Sequence, residues 1–239
     1  MSDSDNWDRR SSSDEDGRFG HWPLGGPFLI VLFLLGLAAL LFVNVAGFAY
    51  ERIGIDRGWF TAIVFGSLVG SRVNIPIWRF PDRVRVESEQ VSVFGILYRI
   101  PARTTGRSIL AVNVGGAIIP TAVSIYLILH DHIWQHSLIA VACVAVVVFA
   151  VARPVKGVGI VTPSLLPPAA AAIAAVVIGR PAEAALAYVC GTLGTLLGAD
   201  LMNLWRVRDL GAPEASIGGA GTFDGVFLSG LLAVVLASL

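Results

Sequence analysis

Charged residues are scarce in this sequence, and so are cysteine, lysine and histidine. Only 14% of the 239 residues are charged, 55% are hydrophobic, and the mean hydropathy is +0.75. This composition is typical of membrane proteins. Two cysteines are too few to predict a disulfide framework. A formal net charge of zero gives no support to a nucleic-acid partner.

Motifs for bound cofactors and metals are also missing. No Walker loop occurs, and Gly157-Val-Gly159 lacks the further glycine of a dinucleotide fingerprint. The histidines near one predicted external loop suit a solvated cap better than a metal site, because no fourth ligand is evident. We therefore predict no cofactor and no metal. The residues concerned are His130, Asp131, His132 and His136.

Seven apolar segments are long enough to approach the thickness of a bilayer, which is about 30 Å of hydrocarbon. We predict an all-α, polytopic transmembrane bundle of about seven spans. The fifth segment contains Pro163, Pro167 and Pro168, so it either crosses fully or re-enters. The predicted spans are roughly 27–50, 59–78, 108–129, 134–152, 157–179, 181–205 and 217–238.

The distribution of arginine and lysine predicts how these spans are oriented. With a cytoplasmic N-terminus and an external C-terminus, fourteen of the seventeen basic residues fall on the cytoplasmic side. We therefore predict a protein of the cell membrane. The three basic residues on the other side are Arg52, Arg57 and Arg180.

Two regions outside the spans are predicted, a disordered tail and a β-hairpin. Residues 1–26 form an acidic, Ser- and Asp-rich cytoplasmic tail that we predict to be disordered. Residues 27–239 form the transmembrane domain, with a cytoplasmic β-hairpin at about 82–101, between spans two and three. Arg83–Glu87 and Gln90–Tyr98 alternate like two strands around Ser88-Glu89. Such a hairpin either caps the bundle or offers an edge to an extended peptide.

Asp200 and Asp224 lie in the most apolar surroundings of any carboxylates in the chain. A charged side chain in a membrane segment costs about 2.5 to 3.5 kcal/mol on insertion scales and usually marks a functional site. The predicted topology brings both aspartates to the cytoplasmic side of the bilayer. We predict that they are the catalytic centre of a polar chamber at that depth.

Polar and helix-breaking residues from three other predicted spans would meet the aspartates at the same depth. Arg72 lies there too and is a possible charge partner, which would hold an aspartate ionised. The supporting or substrate-binding residues that we predict are Asn74, Asn113, Gly115, Gly116, Pro163, Ser164, Asn203 and Gly221.

Glycines four residues apart predict close helix contacts at Gly194 and Gly198 in the sixth span, and at Gly221 and Gly225 in the seventh. Asp224 shares the glycine face of its helix, whereas Asp200 is about 200° from Gly198 on an ideal helix. Either the sixth helix is broken at Gly198-Ala-Asp200, or the two aspartates do not meet through the glycine faces.

Four motifs give the chain a resemblance to a known family. They are Asn74-Ile-Pro76, Asn113-Val-Gly-Gly116, Pro154-Val-Lys-Gly-Val-Gly159 and Gly218-Gly-Ala-Gly-Thr-Phe-Asp-Gly225. Together they resemble the DUF1614 family of prokaryotic membrane proteins, and the likeness covers nearly all of the chain after the tail. This resemblance implies a membrane bundle and brings no established activity.

A looser likeness connects the two aspartates to the intramembrane aspartyl proteases, which carry aspartates on two neighbouring helices. Gly198-Ala199-Asp200 is similar to their Gly-x-Gly-Asp motif but has Ala199 in place of the second glycine. Phe223 precedes Asp224 where those proteases have tyrosine, and Pro163-Ser164-Leu165 comes before the aspartates and not after them. This likeness implies a type of chemistry and not common descent.

Three functions remain open from the sequence. Two carboxylates at close range cannot both ionise, so the pair would share a proton and activate water as a hydrolase. Buried carboxylates on broken helices are equally typical of proton- or cation-coupled transporters and channels. A scaffold in which the aspartates only join helices is the third. The expected partners are the lipid bilayer and a membrane peptide or small ion, and the sequence does not determine the oligomeric state.

Overall fold

The structure is a computed structural model, and it describes residues 25–80, 90–93, 96–99, 108–155, 159–179, 181–207, 214–219 and 225–239. Residues 1–24, most of the predicted tail, lie outside this set. Most of the described residues are helical. The α-helices are α1 (Gly25–Arg52), α2 (Arg57–Gly70), α3 (Ile119–His130), α4 (Trp134–Val151), α5 (Leu166–Ile178), α6 (Glu183–Thr195), α7 (Leu204–Val207) and α8 (Gly225–Ala237).

Three helical stretches are long and apolar enough to cross a membrane, and the chain is therefore a membrane protein. They are Ile30–Arg52, Trp134–Val151 and Glu183–Arg206. Four shorter apolar helices accompany them, and each of the seven predicted spans overlaps one of these seven stretches. The shorter ones are Gly58–Gly70, Val114–His130, Leu166–Ile178 and Gly225–Ala237.

Short strands interrupt the helices and form three small sheets. The largest has three strands in the order β1-β4-β7, in which β1 and β4 are antiparallel and β4 and β7 are parallel. The other two sheets are the hairpins β2-β3 and β5-β6. The strands are β1 (Asn74–Phe80), β2 (Gln90–Val93), β3 (Ile96–Arg99), β4 (Ser108–Asn113), β5 (Arg153–Val155), β6 (Gly159–Val161) and β7 (Glu214–Ile217).

The prediction that the spans are entirely helical is wrong for one end of each of four spans. Residues 74–78, 108–113, 159–161 and 217 were assigned to spans but lie in strands. A short apolar run cannot be identified as helix or strand by periodicity alone, and these runs are rich in β-branched residues. Pro76 is compatible with β1 because β1 is an edge strand of its sheet.

The hairpin predicted at about 82–101 is present, with a different pairing. Gln90–Val93 pairs antiparallel with Ile96–Arg99, so residues 94 and 95 connect the strands, and not Ser88 and Glu89. The segment that was predicted as the first strand, 83–87, lies outside the described residues.

The chain divides into two compact units, Met1–Val43 and Asn44–Leu239. In the first, the described part of α1 exposes almost every apolar side chain, as expected of a helix that lipid covers. In the second, α6 is the central helix and contacts α3, α4, α5 and α8. Every residue of α6 from Ala185 to Thr192 is buried. A helix that is buried on all sides needs no amphipathic pattern, which explains its uniformly apolar sequence.

Candidate functional site

The central helix loses its regular α-helical geometry just before Asp200. After α6, residues Leu196–Asp200 form a π-turn and Leu201–Asn203 a 3₁₀-turn, before α7. The buried Asn203 stabilises this break, because its Nδ2 donates to the carbonyl oxygens of Gly198 (2.9 Å) and Ala199 (3.0 Å). A π-turn displaces carbonyls from the α-helical ladder, and π-turns are frequent at functional sites. Of the two alternatives that the sequence leaves open for the sixth span, a break at Gly198-Ala-Asp200 is therefore present.

Arg206 supports Asn203 from the end of the same helical stretch. Its Nη1 donates to Asn203 Oδ1 at 3.0 Å. The guanidinium carbon lies 5.2 Å from the ring centre of Phe149 and 4.7 Å from that of Trp205, which are cation–π distances. The hydrogen bond to Asn203 and the contacts with the two aromatic rings thus fix the position of the Arg206 side chain.

The predicted glycine seam of the sixth span faces α4. A β-carbon on Gly194 would lie 2.7 Å from Val144 Cβ, and one on Gly198 would overlap the carbonyl oxygen of Ala145. These glycines permit a close approach of the two helices. The carboxylate of Asp200 is engaged elsewhere, with the residue that follows β7.

Asp200 Oδ2 accepts a hydrogen bond of 2.7 Å from the backbone amide of Gly218. Gly218 directly follows β7 and has φ +80°, a left-handed conformation that favours glycine. A β-carbon there would lie 2.6 Å from the amide nitrogen of Ala117. Gly218 is therefore not part of a helix, although the sequence places it in the predicted span 217–238. Asp200 thus connects α6 to the end of the sheet.

A second polar group occupies the same end of the sheet. Asn113 caps the π-turn Val114–Ile118 by accepting from the amide of Gly116 at 2.7 Å. Its Nδ2 donates to the carbonyl oxygen of Ser71 (2.7 Å) and to Asn74 Oδ1 (2.8 Å). Asn74 Oδ1 also accepts from Ser216 Oγ at 2.9 Å. Ser216 was not predicted, because only strand pairing brings β7 beside β4 and near Asn74.

Gly115 allows α2 to approach the π-turn that Asn113 caps. A β-carbon on Gly115 would overlap the carbonyl oxygen of Ser67 and the amide nitrogen of Ser71, both backbone atoms of α2 and its cap. Gly115 and Gly116 are buried. They therefore belong to the close packing around Asn113.

The remaining predicted site residues lie in other places. Pro163 and Ser164 lie between β6 and α5, and Ser164 is exposed. Arg72 is exposed after α2, and its backbone amide donates to the carbonyl oxygen of Val69. Asp224 and Gly221 lie outside the described residues.

No group of three or more His, Cys, Asp and Glu side chains is arranged for a metal ion within the described ranges. In the loop between α3 and α4, His130 Nδ1 and Asp131 Oδ1 are 2.8 Å apart. The ring of His130 also stacks on Tyr126, with ring centres 5.3 Å apart. These contacts suit a loop that caps two helices.

We predict that Asn113→Asp destabilises the protein by about 2 to 3 kcal/mol. Aspartate keeps the acceptor for Gly116 but replaces the Nδ2 donor with an oxygen that faces two other oxygens. The free energy of unfolding in detergent measures the effect. Asn74→Asp is the matched control, because both hydrogen bonds described above for the Asn74 side chain use Oδ1 as acceptor. Equal losses in the two variants would contradict this interpretation.

Comparison with known proteins gives one match. A family model described as "Protein of unknown function (DUF1614)" matches residues 68–236, which is most of the chain. The match begins near the end of α2 and includes every residue of the two polar groups around Asp200 and Asn113. No curated protein and no solved structure matches the chain.

Proposed function

We propose that this chain, which belongs to the DUF1614 family of proteins of unknown function, is a membrane hydrolase with a catalytic pair formed by Asp200 and Asp224. In this proposal the seven apolar helices span the cell membrane with the N-terminus in the cytoplasm. The pair lies toward the cytoplasmic side, and its substrate is the backbone of a membrane peptide.

The observation that carries the proposal is the register between α6 and α8. A β-carbon on Gly191 would lie 3.0 Å from Ala233 Cβ, and Thr195 Oγ1 lies 3.0 Å from Ser229 Oγ. Position 195 comes four residues after position 191 in α6, whereas its neighbour 229 comes four residues before 233 in α8. The two helices are therefore antiparallel. Extended by five further residues, past the described start of α8, the same register would bring position 200 opposite position 224. This register favours two aspartates at one level on neighbouring elements.

The chemistry requires one protonated and one ionised carboxyl group. The ionised carboxylate takes a proton from water, and the water oxygen attacks the peptide carbonyl carbon. The protonated partner gives its proton to the carbonyl oxygen as the tetrahedral intermediate forms. Collapse of that intermediate breaks the C–N bond. The amine takes the proton that came from water, and the ionised member of the pair accepts a proton from one hydroxyl group of the intermediate, which restores the pair. The Gly218 amide, which donates to Asp200 Oδ2, would hold that carboxylate in one orientation.

Proton- or cation-coupled transport is the second candidate, and the two π-turns favour it. Leu196–Asp200 interrupts a helical stretch and ends at an aspartate, while Val114–Ile118 begins the helical stretch that continues as α3; carriers place their binding sites at such irregular helical segments. A non-catalytic scaffold is the third, because the amides of Asn113 and Asn203 are fully engaged in joining elements.

Disulfide trapping tests whether the two aspartates are neighbours. In a Cys143→Ala, Cys190→Ala background, we expect the pair Asp200→Cys and Asp224→Cys to form a disulfide under mild oxidation. A disulfide requires Cα atoms within about 7 Å. The bond is detected by mass spectrometry after digestion of the oxidised membrane protein.

Two control pairs calibrate this measurement. Thr195→Cys with Ser229→Cys should cross-link readily, because the two hydroxyl oxygens are 3.0 Å apart. Asp200→Cys with Ser238→Cys should not, because Ser238 lies at the far end of α8, about 20 Å along the helix axis. Failure of the aspartate pair beside success of the first control would refute the catalytic pair and leave transport and scaffolding.

A further inference from the structure

The edge strand β1 presents an apolar and aromatic surface. Within the part of the chain that the structure describes, β1 pairs with β4 alone, and the pairing shifts between Pro76 and Trp78. The exposed fraction is 45% for Ile75, 51% for Ile77 and 62% for Trp78. The core of this sheet lies on β4 and β7, where Leu110 and Ile217 are buried together. An exposed patch of this type usually marks a binding surface.

The chain keeps β1 close to the membrane. α2 ends at Gly70 and β1 begins at Asn74, so three residues, at most about 11 Å of extended chain, separate them. The last turns of α2 expose Phe65, Leu68 and Val69, as a lipid-facing helix does. β1 therefore lies close to the exposed apolar end of α2.

Positive charge accompanies this apolar patch. Arg72 and Arg79 are exposed at the two ends of the β1 region. The sequence from Arg72 to Arg107 contains seven arginines and three acidic residues, which gives it a formal charge of +4. Tryptophan, isoleucine and arginine together are typical of segments that lie in the interface of a membrane with anionic lipids.

We propose that the exposed edge formed by β1 and Arg72 binds the surface of the bilayer through anionic phospholipid headgroups. Arg72 and Arg79 contact lipid phosphates, while Ile75, Ile77 and Trp78 insert among the glycerol and upper acyl groups. An open cleft of about 410 Å³, lined by Pro76, Ile77, Trp78 and Arg79, receives a headgroup. The membrane thereby covers the exposed apolar side chains of the edge strand.

Two features of β1 favour lipid over an added peptide strand. Pro76 has no amide hydrogen, and the irregularity between Pro76 and Trp78 interrupts the ladder, so a regular row of donors and acceptors is not offered. Charge complementarity favours lipid as well. This inference does not depend on the proposed hydrolase activity.

Quenching of Trp78 by brominated lipid tests the proposal. The full chain is reconstituted in phosphatidylcholine nanodiscs that contain a minor, equal fraction of brominated phosphatidylglycerol or brominated phosphatidylcholine. The signal of Trp78 is the difference between the wild-type protein and Trp78→Phe. Each arginine should enrich anionic lipid about fivefold, which corresponds to about 1 kcal/mol. We therefore expect Trp78 to be quenched several times more strongly by the brominated phosphatidylglycerol.

Two further variants separate charge from general membrane contact. The double variant Arg72→Gln, Arg79→Gln should abolish the excess quenching by phosphatidylglycerol, and so should high salt. Trp134, which is 61% exposed at the start of α4, provides the matched control through Trp134→Phe and should show no excess. The proposal would be overturned if the two brominated lipids quenched Trp78 equally. It would also be overturned if a bound peptide or a second copy of the chain shielded Trp78 from both lipids.

Discussion

Asp200→Asn is expected to reduce peptide-bond hydrolysis by at least about 100-fold, the lower end of what acid–base catalysis contributes. Asparagine retains an oxygen that accepts from the Gly218 amide, so the local fold should persist. It cannot exchange a proton with water or with a second carboxyl group. Asp224→Asn should have the same effect, because either substitution removes one member of the pair.

The assay needs no known substrate. The protein is co-reconstituted with the membrane-protein fraction of the host cell, and newly created N-termini are counted by mass spectrometry. Asp131→Asn, in the loop where Asp131 pairs with His130, is the matched control and should cleave like the wild-type protein. The hydrolase proposal is wrong if every new N-terminus found with the wild-type protein is also found with Asp200→Asn. Proton flux in the same vesicles then tests the transport alternative.

Gly115→Ala is expected to destabilise the protein by about 3 kcal/mol or more. The added methyl group would overlap the carbonyl oxygen of Ser67 and the amide nitrogen of Ser71. Both are backbone atoms, so no side-chain rotation relieves the overlap, and α2 must move away from the π-turn. That movement would also break the hydrogen bond from Asn113 to the Ser71 carbonyl. The unfolding free energy in detergent measures the loss.

Gly47→Ala is the matched control for this substitution. Gly47 lies within α1, and a β-carbon there has no neighbour within 4 Å. Alanine favours the helix over glycine by about 1 kcal/mol, so stability should stay the same or rise slightly. A similar destabilisation in both variants would show that α2 does not pack against the π-turn as described.

Several features of the fold follow from the sequence because they depend on composition and spacing along one segment. The apolar runs around α1, α4 and α6 predict membrane helices, since length and hydropathy alone decide whether a helix can span a bilayer. The break before Asp200 is also accessible from the sequence, because Asp200 is incompatible with the glycine face of a regular helix. The family follows from motifs that are contiguous along the chain.

Other features depend on contacts between distant segments. Asn74 and Asn113 are hydrogen-bonded because β1 and β4 pair in register, yet both lie in apolar runs that also suit helices. Ser216 joins Asn74 across 142 positions of sequence, and nothing local to either residue indicates that contact. The β2-β3 hairpin is a local feature, yet its pairing also differs from the one that alternation alone favoured, because alternation does not fix where the chain turns.

The sequence by itself determined that this is a membrane protein of the DUF1614 family, with Asp200 at a break in an apolar helix. Whether a segment is buried in lipid, and whether its helix is interrupted, depends mainly on the residues of that segment. The local sequence therefore carries this information. Only the tertiary structure decided that Asp200 accepts from the Gly218 amide and that a sheet joins the ends of the helices. Buried polar groups must form hydrogen bonds with the groups that packing brings close to them. Which groups these are depends on the whole fold.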